Sequence, residues 1–134
     1  MLSKVFLEIS NCCNLSCAFC HGTSREKRMM TMDEFDLLAR KLQGKAQYLY
    51  FHLMGEPLLH PALAELLDAT GRRGFKVVLT TNGVSLPKSA EALLSAPALH
   101  RVNISLQSWE ANSRRIRSTR SSSSVRPRCT RSVR

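Results

Sequence analysis

Four apolar runs alternate with three amphipathic segments, and this alternation limits the folds that the chain can adopt. The apolar runs cover residues 5–10, 47–54, 75–80 and 102–106, each of a length typical of a β-strand. Strand, loop and helix, repeated three times and followed by a fourth strand, predict right-handed βαβ crossovers and a parallel sheet. We therefore predict an α/β fold built of parallel βα repeats. The run 47–54 is expected to be buried on both faces of that sheet.

The predicted helices have recognisable starts and apolar stripes. Thr31 and Glu34 have the spacing of a capping box, in which each side chain accepts a hydrogen bond from the other residue's backbone N–H. The second helix is predicted to begin near Pro61, and the third to cover residues 87–96. The stripes predicted to be buried are Phe35, Leu38, Ala39 and Leu42 in the first helix, Leu63, Leu66, Leu67 and Thr70 in the second, and Ala90, Leu93 and Leu94 in the third.

Polar segments follow all four predicted strands. They are the cysteine-rich segment 13–20, Gly55-Glu56, Thr81-Asn82 and residues 105–108. The carboxyl ends of parallel strands lie at one edge of a sheet, and ligands of parallel α/β folds bind at that edge. We therefore expect these four segments to lie together.

Three of these residues, Cys13, Cys17 and Cys20, have the spacing C-x3-C-x2-C. Three neighbouring thiolates can hold a metal or a cluster. A [4Fe–4S] cluster has four irons and is usually held by four cysteines, so three cysteines leave one iron open to another ligand.

Two other interpretations of the cysteines remain open. The first is a zinc site in which His21, His52 or His60 supplies a fourth ligand. The second is a buried stripe on a helix, against which turn-forming residues such as Asn14 and Gly22 argue. Cys12 would change the spacing to C-x4-C-x2-C, and we interpret it as a neighbour of the site. His52 and His60 are expected to be structural.

The cysteine segment resembles the C-x3-C-x-aromatic-C signature of the radical S-adenosylmethionine (radical SAM) superfamily, with Phe19 at the aromatic position. The resemblance implies that Cys13, Cys17 and Cys20 ligate a [4Fe–4S] cluster whose open iron binds S-adenosylmethionine. In this family one electron from the reduced cluster cleaves the cofactor to a 5′-deoxyadenosyl radical, which abstracts a hydrogen atom from the substrate. It also implies a one-electron donor such as flavodoxin or ferredoxin, and a small-molecule or peptide substrate.

The next two strand ends resemble further motifs of this family. Residues 54–57 resemble its Gly-Gly-Glu-Pro motif, with Met54 in place of the first glycine. The resemblance implies that Gly55 and the carboxylate of Glu56 hold the amino group of S-adenosylmethionine. Thr81 and Asn82 match the Thr-Asn-Gly motif that lines the cofactor site, and an ordinary Asn-Gly turn is the alternative.

The end of the fourth strand supplies the last predicted contacts. Ser105 and Gln107 would share one face by strand alternation, and the resemblance implies that they bind the ribose and the carboxylate of S-adenosylmethionine. The resemblance to the radical SAM family extends over residues 3–110, and it implies the first half of a partial (β/α)6 TIM-like barrel. We therefore divide the chain into a partial radical SAM core, 1–110, and a tail, 111–134.

The tail differs from the core in composition. Residues 1–110 carry twelve basic and ten acidic residues, whereas residues 111–134 carry eight arginines, no lysine and no acidic residue. Such a segment buries too little apolar surface to offset its ordering entropy and is expected to be disordered. One explanation is a basic tail that binds nucleic acid. We favour a frameshift near Ala111, and we do not expect a nucleic-acid partner.

The distribution of cysteines also bears on the compartment. Four of the five lie within nine residues, which suits a metal or cluster site in a reducing compartment better than a set of disulfides. Glu8 interrupts the first apolar run, which is too short and too charged for a signal peptide. No apolar stretch approaches the length of a transmembrane helix. We therefore expect a cytoplasmic protein with no membrane partner.

Overall fold

The computed structural model describes residues 2–112 as four strands, four α-helices and one short 3₁₀ turn. In chain order these are β1 (Leu2–Phe6), α1 (Met32–Leu42), β2 (Ala46–Phe51), the 3₁₀ turn (Pro57–Leu59), α2 (Leu63–Arg72), β3 (Lys76–Thr81), α3 (Leu86–Leu94), β4 (Leu99–Ile104) and α4 (Leu106–Ala111). Apart from its first two residues, the tail predicted to be disordered lies outside the described part of the chain.

The strands form one parallel sheet in the order β1-β2-β3-β4. Val5 pairs with Leu49, Leu49 with Val77, and β3 pairs with β4 after a register shift between Val77 and Val78. The parallel βα repeats predicted from the sequence are therefore confirmed. All four strand ends lie at the same edge of the sheet, because all three strand pairs are parallel.

One face of the sheet packs against the helices and forms the core. Leu49 and Phe51 of β2 are fully buried there, and the ring of Phe51 meets that of Phe35 in α1 edge to face, with 6.1 Å between ring centroids. Tyr48 and Tyr50 alternate with them and are half-buried on the opposite face. The prediction that this run is buried on both faces is therefore wrong for the described residues, because its side chains divide between a covered face and a partly exposed one.

Several predicted boundaries needed correction. β1 ends at Phe6, whereas the prediction extended this strand to residue 10. Ser10 instead forms an isolated antiparallel bridge with Met29.

The buried face of α3 also differs from the prediction. Leu94 is 89% exposed, whereas Ser89 is buried beside Leu93. Residues 89 and 93 are four apart and share a helix face, while position 94 is rotated by about 100° from position 93. The predicted burial of Leu94 was therefore wrong.

The fourth strand is shorter than predicted. β4 ends at Ile104, Ser105 is the residue before the first turn of α4, and Gln107 lies within that helix. Strand alternation therefore does not relate Ser105 to Gln107, and that premise was wrong. Ala111 and Asn112, which we assigned to the tail, end α4 and follow it as its C-cap.

The predicted capping box is present at the start of α1. The Thr31 hydroxyl accepts a hydrogen bond from the Glu34 N–H at 3.2 Å. Thr31→Ala is expected to lower the free energy of unfolding by about 1 kcal/mol, because an N-terminal N–H loses its acceptor. Urea denaturation measures this change. Thr31→Ser keeps the hydroxyl and should retain most of the stability; an equal loss in both variants would contradict a capping role.

Candidate functional site

A cavity of about 340 Å³ lies at the carboxyl edge of the sheet. Loops after all four strands contribute to it, as the positions of the polar segments predicted. Among the lining residues are Cys13, Cys17, Phe19, Cys20, Gly55, Glu56, Thr81, Asn82 and Ser105. Gln107 is the one predicted site residue that does not line the cavity. Ser108, one helical turn after Ser105, lines it instead, because the chain turns into α4.

The cysteine segment is irregular, and its turns direct N–H groups at the sulfurs. The backbone N–H of Leu15 donates to Cys13 Sγ, and that of Gly22 donates to Cys20 Sγ, both at 3.4 Å. Asn112 Nδ2 donates to Cys17 Sγ at 3.0 Å. All three sulfurs therefore accept N–H hydrogen bonds, which stabilise thiolates and tune the sulfur ligands of clusters. A helical cysteine stripe is excluded, because residues 11–20 contain no helix.

Burial and neighbouring negative charge disfavour ionisation of the Cys13 thiol. Burial raises the pKa of the Cys13 thiol, and the nearby Glu56 and Cys17 raise it further, while the hydrogen bond from Leu15 opposes them. Thiolates and a carboxylate gathered in one cavity repel one another, and iron bound to the sulfurs would relieve that repulsion. The donor set and its N–H partners thus fit a three-cysteine cluster.

Gly55 holds the turn after β2 against the start of the cysteine segment. Its φ is +81°, and a Cβ at this position would lie 2.5 Å from the carbonyl oxygen of Ser10. The next N–H, that of Glu56, donates to the Cys12 carbonyl at 2.7 Å. Glycine is therefore required here both for its conformation and for the close approach of two backbones.

Glu56 links the ends of β2 and β3. Its carboxylate accepts hydrogen bonds from Thr81 Oγ1 at 2.6 Å, the Asn82 N–H at 2.7 Å and the Leu58 N–H at 3.0 Å. Glu56 is only 1% exposed. Burial raises the pKa of its carboxyl group, whereas the three hydrogen-bond donors act to lower it. Because a carboxylate offers about four acceptor positions, most of its capacity is used within the protein.

Asn82 connects the β3 end to both the cysteine segment and α4. Its Nδ2 donates to Asn14 Oδ1 at 2.8 Å and is 3.8 Å from Cys13 Sγ. Its carbonyl accepts a hydrogen bond from Trp109 Nε1 at 2.6 Å. Sequence reasoning missed the roles of Asn14, Trp109 and Asn112. The signal available for Asn14 was its position directly after Cys13, whereas nothing local marked the other two residues.

A second asparagine fixes the chain where it returns from the cysteine segment. Asn11 Nδ2 donates to the Glu26 carbonyl at 2.9 Å, and Asn11 Oδ1 accepts from the Arg28 N–H at 2.7 Å. Glu8 supports the same region, because it accepts from the Met54 N–H at 3.2 Å and pairs with Arg25. No sequence pattern indicated these contacts of Asn11, because they join residues 15 to 17 positions apart.

The histidines do not complete a metal site. His60 is buried, with Nε2 at 2.9 Å from the Met30 carbonyl and Nδ1 accepting from the Ala62 N–H at 3.1 Å. Its predicted structural role is confirmed. His52 lines the cavity and packs its ring on Phe6. Within residues 2–112 no group of three or more His, Cys, Asp or Glu side chains is arranged to hold a single metal ion.

Comparison with known proteins decides the family. The family model of the radical SAM superfamily matches residues 7–129. The chain belongs to the radical SAM superfamily. Its members are enzymes that use a [4Fe–4S] cluster and S-adenosylmethionine, and the family indicated by the sequence motifs is therefore confirmed.

Relatives within the radical SAM superfamily include GTP 3′,8-cyclases. The probable GTP 3′,8-cyclase of Methanocaldococcus jannaschii is 36% identical over 104 residues, which are 75% of this chain and 35% of that protein. The GTP 3′,8-cyclase of Marinobacter nauticus is 32% identical over 116 residues, 83% of this chain and 35% of that protein. The chain thus spans about a third of the length of these relatives.

Solved radical SAM structures have the same fold. Streptococcus suis SuiB bound to S-adenosylmethionine matches with a TM-score of 0.66 and 25% identity, over 83% of this chain and 28% of that one. BtrN in complex with AdoMet and 2-DOIA matches with a TM-score of 0.64 and 25% identity, over 72% and 42% of the two chains. The predicted TIM-like arrangement of parallel βα units is confirmed. No helix in residues 2–112 combines the length and hydrophobicity needed to cross a bilayer.

Proposed function

We propose that Cys13, Cys17 and Cys20 hold a [4Fe–4S] cluster. The observation that carries the proposal is that the three sulfurs line one cavity and all accept N–H hydrogen bonds. Such bonds favour the deprotonated sulfur that ligates iron. Three cysteine ligands leave one of the four irons open, and S-adenosylmethionine is the ligand that the family uses there.

We propose that S-adenosylmethionine binds in the same cavity, with its amino group at the turn after β2. The turn at Gly55 lines the cavity, and backbone carbonyls are suitable acceptors for an ammonium. Glu56 contributes chiefly by holding Thr81 and the Asn82 backbone in place. Phe19, which is 56% exposed, and Ser105 also line the cavity and are proposed as further contacts.

The proposed activity is that of a radical SAM enzyme. When bound, the cluster and S-adenosylmethionine would supply a 5′-deoxyadenosyl radical, which abstracts a hydrogen atom from a small-molecule or peptide substrate. A one-electron donor such as flavodoxin or ferredoxin would provide the electron. This activity is proposed for a catalytic unit that has the further βα repeats of the family barrel, since the chain spans about a third of its relatives' length.

Anaerobic reconstitution with Fe²⁺ and sulfide tests the ligand assignment. The wild-type chain is expected to bind about four irons with the visible absorbance of a [4Fe–4S] cluster. Cys17→Ala is expected to abolish this absorbance, because two cysteines remain for four irons. Iron and sulfide analysis, with anaerobic equilibrium dialysis of S-adenosylmethionine, measures both parts of the proposal.

Ser16→Ala is the matched control for Cys17→Ala. Ser16 lies beside Cys17 and lines the same cavity, but its side chain is exposed and has no sulfur. This variant is expected to retain the iron and the absorbance. A wild-type protein that binds only zinc, or equal iron loss in both variants, would contradict the assignment.

A further inference from the structure

Helix α4 brings a side-chain amide to one of the three cysteine sulfurs. Asn112 Nδ2 lies 3.0 Å from Cys17 Sγ and 2.9 Å from the Ser108 carbonyl oxygen. An asparagine amide has two N–H groups, so one hydrogen can point at the helix carbonyl and the other at the sulfur. The contact with Ser108 thus fixes the orientation of the group that reaches Cys17.

The position of Asn112 is fixed by the packing of α4. The residue is only 7% exposed, and α4 is attached to the β3 end through the hydrogen bond from Trp109 Nε1 to the Asn82 carbonyl. Ser108 is buried in the same helix and donates to Ser105 Oγ at 3.0 Å. The amide is therefore held in a largely water-excluded place, where a hydrogen bond to a charged group is stronger than in water.

The donor to Cys17 differs in kind from the nearest donors to the other two cysteines. Cys13 and Cys20 accept from backbone N–H groups at 3.4 Å, which come with the turns of the loop. Asn82 Nδ2, at 3.8 Å from Cys13 Sγ, is directed mainly at Asn14 Oδ1. The contact of Asn112 is shorter and depends on side-chain identity.

We propose that Asn112 is a positioning residue that raises the reduction potential of the cluster through its hydrogen bond to Cys17. Reduction adds one electron, and the added negative charge is shared by the sulfur ligands. A hydrogen-bond donor to a sulfur therefore stabilises the reduced state more than the oxidised state. The external one-electron donor supplies this electron. The inference rests on the proposed cluster assignment.

The test is an EPR-monitored redox titration of the reconstituted full chain, wild-type and Asn112→Leu. Leucine has a similar size but no donor. We expect its midpoint potential to be more negative by about 59 mV, equivalent to a tenfold change in the equilibrium constant of a one-electron couple. Asn103→Leu is the matched control, because Asn103 is exposed and its amide donates to Thr80 Oγ1. That variant is expected to keep the wild-type potential.

A second variant covers the possibility that leucine prevents assembly of the cluster. Asn112→Asp has nearly the same shape but replaces the donor with an acceptor, and it is expected to shift the potential in the same direction by at least as much. A cluster with unchanged potential in the variant that assembles would overturn the role of Asn112 and leave the ligand assignment intact. A wild-type chain that assembles no cluster would overturn both.

Discussion

Gly55→Ala is expected to lower the free energy of unfolding by about 2–5 kcal/mol and to reduce iron incorporation. A residue with a side chain pays about 1–2 kcal/mol for the left-handed conformation, and overpacking costs a further 1–3 kcal/mol or so. The overpacking arises because the new Cβ would lie 2.5 Å from the Ser10 carbonyl oxygen, an atom of the backbone leading to the cysteines. Urea denaturation and iron analysis measure the two effects.

Gly74→Ala separates the two causes. Gly74 has nearly the same φ, +79°, but nothing lies within 4 Å of the position that its Cβ would occupy. This variant is expected to lose only the conformational part, about 1–2 kcal/mol, and to bind iron normally. If both alanine variants lost the same stability, the close approach of the two loops would have no energetic importance.

Glu56→Gln is expected to cost about 1.5–3 kcal/mol of stability, the worth of a hydrogen bond to a charged group. In either orientation the glutamine amide would place an NH₂ group against a donor, either the Asn82 N–H or the pair formed by Thr81 Oγ1 and the Leu58 N–H. At least one buried N–H would therefore lose its acceptor. Urea denaturation measures the loss, and dialysis of S-adenosylmethionine measures the accompanying loss of affinity.

Glu91→Gln makes the same chemical change on the exposed surface of α3. Its stability should stay within about 0.5 kcal/mol of the wild type, as is usual for surface substitutions. A Glu56→Gln variant as stable as Glu91→Gln would show that the carboxylate does not hold the strand ends together. In that case its three hydrogen bonds would have to be satisfied equally well by an amide.

The sequence predicted the architecture well because the patterns involved are local. Alternating apolar runs and amphipathic segments predicted four strands and the first three helices, and the capping box at Thr31 located the start of α1 within one residue. Strand ends were less certain, because hydrophobicity continues past the last sheet hydrogen bond. The apolar run through Met54 outlasts β2, which ends at Phe51, since those residues turn towards the site.

Nine of the ten site residues predicted from the sequence line the cavity. The three spaced cysteines and the segments after β2 and β3 form short motifs. Motifs of this kind can be recognised from the sequence alone. Gln107 does not line the cavity, because its predicted position depended on β4 extending two residues further than it does. Asn112 was assigned to the tail because the arginine-rich composition beyond it masked the end of α4.

By itself the sequence determined which chemical groups the chain can offer: three thiols at cluster spacing, a Gly-Glu-Pro turn and a parallel βα order that collects strand ends at one edge. Only the tertiary structure decided what those groups contact. It directs the Glu56 carboxylate inward to β3, and it brings the Asn112 amide to Cys17, 95 residues away in the chain. The physical reason is that spacing and periodicity act over a few residues, whereas hydrogen-bond partners between strand ends depend on how the sheet and α4 pack.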